Sequence, residues 1–191
     1  DLVGVITGIV EKNKIITGEH ISPGDILLGL PSNGLHTNGF SLARKVFFDI
    51  ANHSVDTYLE GLGATVGEVL LEPHINYTNH VLSALDTGEI IKGIAHITGG
   101  GLTENVPRIL PAGCAVKIKR GSWPSLPVFE TIIELGNIDT KEMYRTFNMG
   151  IGMVFIVDQK SSNIISRALS KMSPVHKIGE VVEGNNSTNY V

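Results

Sequence analysis

The chain has 191 residues, 42% of them hydrophobic and 18% charged, which excludes a disordered segment and favours one domain with room for a fragment of another. A formal net charge of −4 supplies no basic field for nucleic acid, so any anion site has to be local. No apolar run nears the ~18 residues that span a bilayer, and the single cysteine, Cys114, forbids an internal disulfide and fits a reducing compartment. A cytoplasmic protein without nucleic-acid or membrane partners is the expectation.

Leu2 to Val10 reads as an apolar strand with nothing before it, and Glu11 to Asp25, with Gly18, Pro23 and Gly24, as a linker or turn region. Asp25 to Leu30 is strand-like and leads into Pro31-Ser32-Asn33-Gly34-Leu35-His36-Thr37-Asn38-Gly39. Beyond that loop Phe40, Ala43, Val46, Phe47, Ile50 and Ala51 recur at helical intervals. Asn52 to Gly63 is irregular, and Thr65 with Glu68 forms a capping box for a short helix to Leu71. Ile75 to Leu85 reads as an amphipathic helix with Tyr77, Val81, Leu82 and Leu85 inward and Gly88 as its stop. Ile90 to Thr98 is a buried strand, Gly99-Gly100-Gly101 ends it, and a helix from Leu102 to Leu110 is kinked by Pro107.

Further on, Ala115 to Arg120 alternates as a half-exposed strand does, with Lys117 and Lys119 outward. Ser125 is the expected cap of a helix ending at Gly136, and Asp139 with Glu142 the capping box of another to Arg145. Gly150 to Asp158 is a strand. Ser161 or Ser162 opens the last helix, with Ile164, Ile165, Ala168, Leu169 and Met172 inward. His176 to Glu183 is the final strand, and the Gly-Asn-Asn-Ser-Thr tail after it is expected to fray. Strands alternating with helices define an α/β or α+β layered domain built on a mixed sheet.

Three loops carry polar chemistry. In Ser32 to Gly39, small and hydroxylated residues between a strand and a helix start suit an anion, because helix-start N–H groups and the macrodipole favour negative charge. His36 and the side chains of Ser32, Thr37 and Asn38 add donors; otherwise Asn38 caps an ordinary helix. In Ala95 to Asn105, three glycines allow close approach to a ligand, and His96 and Thr98 share one side of a strand. Glu104 stands where a dinucleotide fingerprint needs glycine, and no Walker A lysine occurs. In Met143 to Met153, Arg145 offers a planar fork and Asn148 an amide, with Gly150 and Gly152 inside an apolar strand. The structural alternatives are a flexible turn around a core histidine for the second loop and a helix-end arginine for the third. His74 and His80 are six apart, which matches no zinc spacing. No aspartate pair suits magnesium.

Taken together, Asp1-Leu2-Val3-Gly4, Ser32 to Lys45, Ala95 to Asn105 with Pro107-Arg108, and Glu142 to Gly152 resemble the aminoimidazole ribonucleotide synthetase family, the phosphoribosylformylglycinamidine cyclo-ligases of purine biosynthesis. The likeness runs through the whole chain but covers only the C-terminal half of the family's length. It implies that residues 1–12 are the last strand of an N-terminal nucleotide-binding domain and 13–191 the C-terminal α/β domain. It further implies ATP-dependent closure of formylglycinamidine ribonucleotide to the imidazole, by phosphorylation of the formamide oxygen and attack of the amidine-side nitrogen. ATP and magnesium would be bound mainly by the N-terminal half, and the full-length protein would be a homodimer.

By the same likeness His36 and His96 would be catalytic, and Ser32, Asn33, Gly34, Thr37, Asn38 and Gly39 would hold the substrate phosphate. Thr98, Gly99, Gly100, Gly101, Glu104, Asn105, Arg145 and Asn148 would contact substrate or nucleotide. The family's Pro-Thr-Arg-Ile-Tyr is replaced by Pro73-His74-Ile75-Asn76-Tyr77. Two alternatives stay open: a non-catalytic duplicate with a scaffolding role, and another ATP-using member of the superfamily.

Overall fold

A computed structural model describes residues 3–191. Six strands form one sheet: β1 (Ile26–Pro31), β4 (Ile91–His96), β5 (Cys114–Ile118), β6 (Ile151–Val157), β7 (His176–Glu183) and β8 (Thr188–Tyr190). Their order is β4-β6-β1-β7-β5-β8. All neighbours run antiparallel except β5 and β8, so the sheet is mixed. A two-stranded ribbon, β2 (Tyr58–Leu59) with β3 (Ala64–Thr65), stands apart within the stretch expected to be irregular.

Alternation in β1 divides the core. Leu27 joins Ile97, Leu102, Val106, Val116, Val154 and Ile178 on one face. Ile26, Leu28 and Leu30 join Phe155, Ala84, Ile165 and Leu169 on the other, under α3 (Thr78–Leu85) and α7 (Ser162–Leu169). A third cluster lies outside the six-stranded sheet. Phe47, Val66, Phe129, Ile132, Met143 and Phe147 are its centre. It joins α1 (Phe40–Arg44) and the wider helical turn Lys45–Ile50 to α2 (Val66–Leu70), α5 (Pro127–Gly136) and α6 (Thr140–Thr146). No helix among the described residues is long and apolar enough to cross a membrane.

Several local expectations give way to tertiary packing. Leu2, where the N-terminal strand was to begin, lies outside the described residues. Residues 3–10 pair with no strand, and Val3, Val5, Ile6 and Ile9 are exposed. An apolar run becomes a strand only where another edge takes up its backbone hydrogen bonds, and no edge of this sheet does so. The stretch from Glu11 to Asp25 is more than a linker. Ile21 is in the core, and the buried Asp25 carboxylate accepts from Ser22 N–H at 2.7 Å and pairs with Lys92 Nζ at 2.6 Å.

The helix expected over Ile75 to Leu85 starts only at Thr78, and Leu82 and Leu85 face outward while Tyr77 and Ala84 are buried. Ile164 and Met172 are exposed too. Leu126, not Ser125, is the N-cap of α5. Asp139 caps α6 alone, because the Glu142 carboxylate is held by Arg145. The tail does not fray: Asn186 N–H donates to Cys114 O, and β8 covers the outer edge of β5.

Candidate functional site

The site is built where three adjacent strands end. Because β6 is antiparallel to both β1 and β4, its first residues lie beside the last residues of its two neighbours. Pro31 is opposite Ile151 and His96 opposite Met153. The loop after β1 (residues 32–39), the loop after β4 (97–100) and the loop before β6 (147–150) therefore leave the sheet at one corner. Direct bonds continue the convergence: Ser32 N–H donates to Gly150 O, and Ile97 N–H to Gly152 O, both at 2.9 Å. A side chain on Gly99 would touch Asn38 Oδ1, and one on Gly152 would run into the Tyr77 hydroxyl and the His36 ring.

Two buried asparagines give the loops their shape. Asn148 Oδ1 accepts from Ser32 Oγ and Gly150 N–H, and its Nδ2 donates to Gly34 O, all at 2.8 Å. Asn105 Nδ2 reaches the carbonyls of Thr98, Gly99 and Gly101, while its Oδ1 accepts from Thr98 Oγ1 at 3.0 Å. A buried amide with its hydrogen-bonding capacity met inside the chain holds backbone in place. Ser32, Asn148, Thr98 and Asn105, taken from the sequence as ligand contacts, are engaged in this bracing.

Asn33 is engaged as well. Its Nδ2 donates to Glu72 Oε1 and Pro73 O, each at 2.9 Å. Its Oδ1 faces His36 Nε2 at 2.9 Å, and since an amide oxygen only accepts, the His36 proton sits on Nε2. His36 Nδ1 is then a bare lone pair, buried and without a hydrogen-bond partner. Burial, followed by the neighbouring His74 and His96, lowers the His36 pKa to about 4, so the ring is neutral near pH 7. That gives it an acceptor's chemistry at Nδ1 rather than the anion-donor part read from sequence. The residue itself is held at φ 57°, a left-handed conformation that a non-glycine residue adopts at some cost.

Both helix starts at this corner lack side-chain caps. Gly39 (φ 80°) precedes α1 and Gly100 (φ 97°) precedes α4 (Gly101–Asn105), and neither has a side chain to offer the first N–H groups, its carbonyl accepting only from Ala43 or Glu104 N–H at 3.0 Å. Gly39, not Asn38, is thus the N-cap, and the Asn38 side chain makes no hydrogen bond among the described residues. A substituent on Gly39 would strike the Phe147 ring, and one on Gly101 the carbonyls of Tyr144 and Phe147. Gly34 is buried beside Glu72.

Beyond His36 lies what sequence reading missed. The His74 ring stacks on His36 with centroids 3.9 Å apart. Its Nε2 is 3.0 Å from His96 Nε2, and its Nδ1 is 3.5 Å from Thr37 Oγ1. Burial and His96 lower the His74 pKa. Tyr77 packs against all three rings; its hydroxyl donates to Pro31 O at 2.7 Å, and burial raises its pKa. His74, Tyr77, His96, Val81 and Met153 line an open cavity of about 530 Å³. Nothing in the His74 to His80 spacing could disclose this, because the partners of His74 are on β4 and on the loop after β1.

Arg145 and Glu104 are less engaged with the cluster. The Arg145 guanidinium grips Glu142 with two bonds of 2.7 and 2.8 Å on the surface, and Glu104 pairs with Arg108 at 3.7 Å. Among the described residues no three His, Cys, Asp or Glu side chains group to hold a metal ion. The histidine corner offers imidazoles, amides and hydroxyls rather than the carboxylates magnesium prefers, so this corner does not fit that ion.

Comparison with known proteins gives a consistent family. Residues 22–191 match the model described as AIR synthase related protein, C-terminal domain. Over 185 residues the chain is 47% identical to the phosphoribosylformylglycinamidine cyclo-ligase of Geobacillus thermodenitrificans, covering 96% of this chain and 53% of that protein. The enzyme of the same name from Bifidobacterium longum is 45% identical over 193 residues, covering all of this chain and 56% of its own length. The chain thus spans about half the length of the curated relatives it matches. Among solved structures, E. coli HypE, a hydrogenase maturation protein, superposes with a TM-score of 0.61 at 21% identity, covering 96% of this chain and 51% of HypE. Thiamine-monophosphate kinase from Stenotrophomonas maltophilia gives 0.61 at 14%, covering 95% and 54%. At such identities these two likenesses concern the fold.

Proposed function

The chain belongs to the AIR synthase related C-terminal domain family, and from that premise we propose that it supplies the substrate-phosphate side of a cyclo-ligase site. The reaction is the ATP-dependent closure of formylglycinamidine ribonucleotide to aminoimidazole ribonucleotide in purine biosynthesis, within a homodimer of the full-length protein. The observation that carries the reading is the meeting of three loops at one corner of the sheet, where a histidine cluster stands beside two uncapped helix starts.

The ribose phosphate is assigned to Thr37, Asn38 and Gly39. There the first N–H groups of α1 and the Asn38 amide are available, and a phosphate draws both hydrogen bonds and the dipole's favour. Ser32, Asn33, Gly34 and Asn148 act beneath it by fixing the loop. The reacting amidine end then extends toward His36 and His96. His36 Nδ1 is the corner's unmet acceptor, and it can take an N–H from the substrate once the ring above it gives way. His96, exposed at the end of β4, can donate toward the oxygen that takes up the phosphoryl group or carry away the proton lost on closure. ATP and magnesium are assigned mainly to the half of the relatives' length that this chain does not span, and no step is routed here through the metal.

The test is turnover by the full-length protein carrying His36→Ala or His96→Ala. Loss of a transition-state donor or acceptor lowers kcat by about a hundred- to a thousandfold. Wild-type rates in both variants would remove the two rings from the chemistry. Calorimetry with the substrate ribonucleotide is the second arm, and the absence of any heat would favour a scaffolding duplicate instead.

A further inference from the structure

We propose that His74 is a positioning residue: its ring, bonded to His96 and stacked on His36, fixes the proton position of His96 and seats the His36 ring. This rests on the reading above that His36 and His96 act in the reaction. His74 Nε2 and His96 Nε2 are 3.0 Å apart. Two imidazole nitrogens at that distance bond only if one carries a hydrogen and the other a lone pair. One proton therefore lies between the two rings, and whichever ring holds it, the tautomer of the other is decided. On its far side His74 Nδ1 meets the Thr37 hydroxyl, a group able to donate or accept. The chain Thr37–His74–His96 thus links the phosphate loop to the end of β4.

The stack supplies the second constraint. At 3.9 Å and 21° between planes, the His74 ring covers one face of His36, whose other restraint is the Nε2–H bond to Asn33. The remaining titratable groups around the pair are Tyr77, His80 and Glu72. Tyr77 packs on the rings and is committed to Pro31 O, His80 stands edge-on to Tyr77, and Glu72 is bonded to Asn33. None of them has a hydrogen bond to His96, so His74 is the side chain that sets its proton.

The test uses two variants and two readouts. His74→Phe keeps a stacked ring but no hydrogen bond; His74→Gln restores a donor and acceptor without the aromatic face. Nitrogen NMR of the histidine rings in the 191-residue chain is expected to show a fixed His96 tautomer in the wild type. That preference should be lost in His74→Phe and recovered, at least in part, in His74→Gln. In the full-length protein His74→Phe should lower kcat about ten- to a hundredfold, as loss of a ring-orienting partner does elsewhere, with KM little changed and the pH profile displaced. A His96 tautomer unaffected by His74→Phe overturns the proposal whatever the turnover. A lost tautomer with undiminished rates in His36→Ala and His96→Ala upholds the part of His74 and overturns the catalytic reading instead.

Discussion

Asn148 shows how much one side chain decides at the site. Truncating it leaves Gly34 O, Gly150 N–H and Ser32 Oγ without their partner in a buried place. Unsatisfied buried groups cost about 1–3 kcal/mol each, less whatever water recovers. Asn148→Ala is therefore expected to lose about 2–3 kcal/mol, which in a domain of this size is roughly 5–10 °C in Tm by calorimetry. His36 makes the fold sensitive to acid. Its ring titrates near 6.5 when unfolded and near 4 when folded, so between those values the unfolded state binds the extra proton. Stability is then complete above about pH 6.5 and falls as pH drops toward 4. His36→Asn, an amide that tolerates the positive φ at this position, should flatten that part of a plot of urea midpoint against pH. His36 and His96 were legible because they sit in motifs with small residues around them. His74 was not, because its meaning depends on a ring 22 positions away.

Elements carry the next layer of cause. Thr65 and Glu68 form the capping box that their spacing announces, with Glu68 Oε2 accepting from Thr65 N–H at 2.8 Å and Thr65 Oγ1 accepting from Glu68 N–H at 3.2 Å. Thr65→Ala should cost about 1 kcal/mol, read as a shift of the urea midpoint. The same pattern at Asp139 and Glu142 is half formed, because Arg145 competes for the carboxylate. Local spacing predicts a cap only where no stronger partner stands nearby. At the other end of the chain, β8 makes an edge of β5 safe by pairing with it, and Tyr190 bonds Thr103 at 2.8 Å. A chain ending at Glu183 is expected to expose that edge and self-associate as concentration rises, which size-exclusion chromatography would detect; a persistent monomer would argue that β5 is protected by other means.

The whole molecule determines what the loops can do together. Three loops far apart in the chain, 32–39, 97–100 and 147–150, become one corner because β6 lies between β1 and β4 and runs against both. Because these 191 residues span about half the length of the curated relatives, the purified 191-residue chain by itself is expected to form no imidazole product from ribonucleotide and ATP, and measurable product would reassign the nucleotide side to these residues. The sequence alone determined five of the sheet's six strands and most helices, since alternation and helical periodicity are local and record which face is apolar. It also determined the family, through ordered motifs spread along the chain. Only the tertiary structure decided strand order, the pairing of the tail, the unpaired state of residues 3–10, and which polar groups brace the loops rather than face a ligand. It alone placed His74 between His36 and His96. Those outcomes depend on hydrogen bonds and packing between distant residues, and one-dimensional spacing carries no record of such partners.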